Sequence, residues 1–151
     1  MRLASPVPGT VRTLGDVPDR VFADGIVGPG AAVEPVRTAV QHVLAPVDGV
    51  VAALHPHAFA VEVAPGRAVL VHLGIDTVRL AGAGFEAHVV VGQVVRAGAR
   101  VLTWSPADVA AAGYPTICPV VALQASPDEV TLLLEPGETV AAGEPLLDWA
   151  G

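Results

Sequence analysis

Gly92-Gln93-Val94-Val95-Arg96-Ala97-Gly98-Ala99-Arg100-Val101-Leu102-Thr103-Trp104 recurs as Gly137-Glu138-Thr139-Val140-Ala141-Ala142-Gly143-Glu144-Pro145-Leu146-Leu147-Asp148-Trp149. Both copies carry Gly at the first and seventh positions, Val at the fourth, an apolar pair at the tenth and eleventh, and Trp at the thirteenth. Glycine repeated at turn positions points to positive φ, and a short apolar run on either side of such a turn reads as a hairpin. The recurrence therefore predicts two similar hairpin units, and with them two quasi-symmetric halves of one sandwich.

Working outward, short β-branched runs bounded by Gly, Pro or Asp succeed one another from Val21 onward. They predict strands over Gly25–Val33, Val40–Leu44, Gly49–Leu54, Phe59–Val63, Ala68–His72, Ala87–Val91, Thr116–Leu123 and Glu129–Leu134. That many short strands imply an all-β antiparallel sandwich or barrel with one or two short helices. The helical signal is clearest at Ser105-Pro106-Ala107-Asp108: an N-cap hydroxyl, Pro at the first helical position and an acid in the first turn, closed by Gly113 and Pro115. Residues 1–18 are rich in Pro and polar residues without a clear period, and read as an extended lead before a single domain over 19–151.

Composition narrows the function. With 151 residues, 52% of them hydrophobic, the chain can bury one core, and 4% aromatics makes that core aliphatic. A net charge of −7 with eight scattered Arg argues against nucleic acid as the partner. The complete absence of Lys excludes a Schiff-base lysine, a phosphate-loop lysine and a lysine-borne lipoyl or biotin group. The single cysteine, Cys118, has no internal disulfide partner and no neighbouring base in sequence, so it reads as a buried strand residue and the chain as cytoplasmic. His42 and His88 alternate with apolar neighbours and read as surface strand residues, while Trp104 and Trp149 read as packing anchors.

The candidate chemistry sits at His72, which closes the apolar run Ala68-Val69-Leu70-Val71 and precedes Leu73-Gly74-Ile75-Asp76. His55 and His57, two apart on an expected strand, share a face and can converge on it. Gly74 permits close backbone approach, and Asp76 adds an acid. On residues alone three readings stay open: a core histidine, a zinc ligand, or a neutral imidazole acting as nucleophile once one ring nitrogen is held. The pairs His72-x3-Asp76 and His55-x-His57 also suit a sandwich-type zinc peptidase, although in the opposite chain order.

Gly66-Arg67-Ala68-Val69-Leu70-Val71-His72-Leu73-Gly74-Ile75-Asp76-Thr77-Val78-Arg79-Leu80 resembles the phosphorylation-site motif of glucose-type enzyme IIA components of the bacterial sugar phosphotransferase system. Asp16 to Gly28, Ala45-Pro46-Val47-Asp48-Gly49, His57 to Glu62 and Gly92 to Gly98 agree in order, so the resemblance covers about residues 10 to 150. It implies a β-sandwich that accepts phosphate from the carrier HPr on Nε2 of His72 and passes it to a cysteine of the IIB domain of a sugar permease. Gly74 would hold Nδ1 through its carbonyl, and His57 would support the phosphate. Asp19, Phe22, Ile26, Val27, Leu70, Leu73, Asp76 and Val78 would form the apolar, acid-edged docking surface. No cofactor is required, with zinc on His57 and His72 at a partner interface as an option. A regulatory protein that binds its targets without relaying phosphate would share these features. The chain departs from the family at His55, where relatives usually carry Thr, and at Ala53, where they carry an aromatic residue.

Overall fold

The computed structural model describes residues 1–151. Fourteen strands run in chain order: β1 Arg2–Ala4, β2 Gly9–Arg12, β3 Gly30–Pro35, β4 Gln41–Leu44, β5 Gly49–His55, β6 Ala58–Ala64, β7 Arg67–His72, β8 Phe85–Ala87, β9 Val94–Val95, β10 Arg100–Trp104, β11 Cys118–Ala122, β12 Val130–Leu132, β13 Thr139–Val140 and β14 Pro145–Trp149. Two short helices, α1 Arg20–Ala23 and α2 Pro106–Ala111, interrupt them. The strands form one eight-stranded sheet in the order β13-β2-β3-β11-β7-β6-β5-β9 and two three-stranded sheets, β1-β14-β12 and β4-β10-β8. Every pairing is antiparallel, giving the expected all-β sandwich.

The repeat is real in space. Its four glycines all take positive φ: Gly92 at 92°, Gly98 at 90°, Gly137 at 98° and Gly143 at 89°. Gln93 and Glu138, matching residues, each accept a backbone N–H three residues back, from Val90 and Glu135. Trp104 and Trp149 end β10 and β14 almost fully buried. The hairpin-end strands then enter different small sheets, so the two halves face each other across the core.

The same symmetry corrects the reading of residues 1–18, which hold β1 and β2 and are part of the fold, not a separate lead. Leu3, Val7 and Val11 are fully buried. Ala4 donates to the Pro46 carbonyl while Leu44 donates to that of Pro6, and Gly98 donates to Ala45 as Gly143 does to Ser5. Ser5-Pro6-Val7-Pro8-Gly9 is thus the counterpart of Ala45-Pro46-Val47-Asp48-Gly49. Proline removes amide donors within these segments, but their remaining polar groups bond across the pseudo-twofold, which is how a Pro-rich stretch can be internal.

Two more boundaries differ from expectation. Within Gly25–Val33 only the part from Gly30 is strand, because Asp19 caps α1 by accepting from the Val21 N–H at 2.9 Å and the chain turns at Gly25 and Gly28 before pairing. Strand β8 covers Phe85–Ala87, and Ala87–Val91 runs on into the turn at Gly92, which leaves His88 beyond the strand. Helix α2 forms as read, with Ser105 Oγ accepting from the Asp108 N–H.

Period-2 alternation makes the large sheet two-faced. Val69, Val71, Ala31, Val33, Cys118, Val120 and Ala122 belong to the interior cluster. Ala32, Val121 and Leu70 point the other way, into a smaller cluster with Leu14, Val17, Phe22, Ile75 and Ile117. His72 is in phase with Leu70, so it emerges on the face that α1 partly covers.

Candidate functional site

His72 is the last residue of β7, and the segment after it locks its ring. Its Nδ1–H donates to the Gly74 carbonyl at 2.6 Å. That contact needs the chain to fold back within two residues, and Gly74 does so at φ 73°. Glycine is required there on two counts: the left-handed conformation, and the space, since a Cβ would lie 2.7 Å from the Pro115 carbonyl oxygen and 2.8 Å from Thr77 Cγ2. The loop is held further by Ile75 N–H donating to the Pro115 carbonyl at 3.0 Å and by Thr77 Oγ1 donating to that of Leu73 at 2.7 Å. Asp76 follows at φ 61°, a position that a short polar side chain tolerates.

His57 arrives from the neighbouring hairpin. His55 and His57 do not share a strand face as expected: His55 ends β5, and Pro56-His57 are the two-residue turn into β6. What carries His57 to the site is pairing. Ala58 sits opposite His72 across β6 and β7, and Leu73 N–H donates to the His57 carbonyl at 2.7 Å. The His57 and His72 rings meet edge-on with centroids 5.1 Å apart, and His55 stands beyond at 5.9 Å from His57. Phe22 closes the other side of His72 at 5.3 Å.

These contacts set the charge state. Burial lowers the pKa of His72, opposed by its bond to Gly74 and by the carboxylates of Asp19 and Asp76. Burial also lowers that of His57, helped by the neighbouring imidazoles of His72 and His55. Both rings are therefore neutral near pH 7. With Nδ1 engaged as donor, His72 keeps its one lone pair on Nε2, a nucleophile of fixed tautomer.

Around the rings, Ile26 and Val78 are exposed, and Val27, Leu70 and Asp19 are partly so. Exposed Val21, next to Phe22, adjoins this set and has no signature in sequence beyond being apolar. Leu73 does not belong to the surface: it is fully buried in the interior cluster, because it continues the chain past His72 onto the opposite face. Phe22 is buried too and acts by packing on His72. Thr77 and Pro115, which brace the Gly74 turn, carry no signature in the sequence, because the partners of the Thr77 hydroxyl and the Pro115 carbonyl are the backbone groups of Leu73 and Ile75. Cys118 is fully buried, its thiol donates to the Thr116 carbonyl at 3.3 Å, and burial pushes its pKa up strongly. No group of three or more His, Cys, Asp or Glu is arranged to hold a metal ion.

Fold and site together define a β-sandwich that presents one histidine of fixed tautomer, beside a second, on an open face with an apolar centre and acidic edges. The profile of the phosphoenolpyruvate-dependent sugar phosphotransferase system EIIA 1 family matches residues 1–128, and the chain belongs to that family. It is 36% identical over 121 residues to the glucose-specific EIIA component of Bacillus cereus, covering 79% of this chain and 72% of that protein. It is 45% identical over 121 residues to the beta-glucoside-specific EIIBCA component of Dickeya chrysanthemi, covering 79% of this chain and 19% of that protein. The chain thus spans about a fifth of the length of that multidomain relative. Glucose permease IIA from Mycoplasma capricolum superimposes with a TM-score of 0.85, 32% identity, and coverage of 97% of this chain and 94% of that one. The chain is thus similar in sequence and fold to glucose-specific EIIA proteins. None of its helices is long and apolar enough to cross a membrane.

Proposed function

We propose that His72 is a phosphoryl relay: its Nε2 accepts the group from the phosphohistidine of HPr and yields it to a cysteine of a IIB domain at the membrane. The observation that carries this reading is the 2.6 Å bond from Nδ1–H to the Gly74 carbonyl, which leaves Nε2 as the only free lone pair of a neutral ring. In the first transfer the N–P bond of the donor breaks as the bond from His72 Nε2 to phosphorus forms. In the second, a cysteine thiolate attacks the phosphorus, and His72 leaves as neutral imidazole with its Nδ1 proton still in place. Such transition states are loose, so positioning and charge stabilisation matter more than base strength.

His57 is suited to donate a ring N–H to the phosphoryl oxygens from 5.1 Å between centroids, while Asp19 and Asp76 oppose the added negative charge and keep the group easy to transfer onward. The exposed side chains of Ile26 and Val78, with Val27 and Leu70 behind them, offer buried area to a partner, and the acids beside them steer a basic one. On this reading the protein works in the cytoplasm. The test is incubation with phosphoenolpyruvate, enzyme I and HPr, followed by intact mass at alkaline pH. One acid-labile phosphate is expected on wild type and none on His72→Gln, whereas His57→Gln gains it but passes it poorly to a IIB domain. Undiminished gain by His72→Gln overturns the proposal.

A further inference from the structure

Away from the relay site, the sheet β4-β10-β8 gathers a second pair of imidazoles. Thr103 on β10 lies opposite His42 on β4 and opposite Glu86 on β8, so these three side chains share one face. His88, two residues past Glu86, stays in phase because its N–H donates to the Val101 carbonyl at 2.9 Å and continues the pairing beyond the strand. From opposite sides of β10 the two rings lean onto one atom: His42 Nδ1 stands 3.0 Å and His88 Nε2 2.6 Å from Thr103 Oγ1. Both histidines are exposed. A lone hydroxyl can donate to only one of these nitrogens, and the other must donate to it. The pair is thus aimed at a point that a side chain rotating about a single bond can vacate.

We propose that His42 and His88 form a two-imidazole site for a divalent transition-metal ion of the copper and zinc class, with the ion taking the vertex that Thr103 Oγ1 now occupies. Metal–imidazole bonds of about 2.0–2.1 Å are shorter than the present contacts, so the rings close by a small inward movement when the hydroxyl turns aside. Water completes the coordination on this exposed face. The Glu86 carboxylate in the same row favours a cation, and Arg100, which lines the groove beside His42, opposes it. Neither histidine belongs to the sheet that carries His72, so the site is separate from phosphoryl transfer.

The test is titration with Cu(II), the tightest-binding divalent ion of the first row, at pH 7.5, read by electron paramagnetic resonance. The parent is the full chain with His57→Gln and His72→Gln, which removes the competing ring pair. One equivalent with a two-nitrogen pattern is expected. His42→Asn and His88→Asn should each weaken binding about tenfold or more, since losing a ligand costs at least as much as losing its outer hydrogen-bond partner. Thr103→Val, which frees both rings, should retain the signal. Absence of a two-nitrogen signal from the parent, or binding by His42→Asn or His88→Asn as tight as that of the parent, overturns the proposal.

Discussion

Replacing Gly74 by Ala probes the joint between fold and chemistry, because one residue supplies both the turn and the carbonyl that holds His72. At φ 73° an L-residue costs about 1–2 kcal/mol. The added methyl would lie 2.7 Å from the Pro115 carbonyl oxygen and 2.8 Å from Thr77 Cγ2. Relieving that crowding costs about 1–3 kcal/mol. The Pro115 oxygen also accepts the Ile75 N–H, and a shift that weakens this bond adds about 1 kcal/mol. Together the losses come to about 3–6 kcal/mol, which at a urea slope of about 2 kcal/mol/M lowers the unfolding midpoint by about 1.5–3 M. Because the carbonyl moves with the turn, the His72 Nδ1–H loses protection, and the imidazole nitrogen spectrum should change from a single Nδ1–H tautomer to a mixture. A Gly74→Ala protein that unfolds within about 0.5 kcal/mol of wild type with His72 still a pure Nδ1–H tautomer would refute the reasoning.

Further expectations concern charge, packing and thiol chemistry. His57 and His72 titrate below the usual imidazole value of about 6.5, so in the window beneath it the unfolded chain binds protons that the folded chain refuses. Stability is full above that value and falls as pH drops through the window, and urea titrations across it should show a shallower fall in His72→Gln. Trp104→Phe strands the buried Gln41 Oε1, which now accepts from the indole N–H at 3.0 Å, and should cost about 2–4 kcal/mol by denaturant unfolding. Cys118 should resist a thiol reagent in the folded protein and react only at the rate of global opening, since its thiol is buried and driven towards the neutral form.

Much of this was legible in the sequence. The glycine-spaced repeat exposed the symmetry, and the β-branched run ending at His72 marked the strand that carries it. What escaped was non-local. Residues 1–18 hid their strands because prolines blur the period, although Pro6-Val7-Pro8-Gly9 against Pro46-Val47-Asp48-Gly49 carries the signal once the second half of the repeat is in view. Leu73 reads as a neighbour of His72 on the docking surface, yet one step along the chain turns its side chain to the other face, where it is fully buried. His57 lies beside His72 for a different geometric reason than a shared strand face, since it reaches His72 through a hairpin turn and the register of Ala58 opposite His72. His42 and His88 were separable only as surface residues, because their convergence depends on β10 passing between them.

On the proposed reading Gly74 makes Nε2 the reactive atom of His72. That reading is tested most directly by nitrogen and phosphorus NMR of protein labelled at histidine and phosphorylated through HPr. Phosphorus coupled to Nε2 of His72, with Nδ1 still protonated, is the expected result. Phosphorus on Nδ1, or on another histidine, would contradict it.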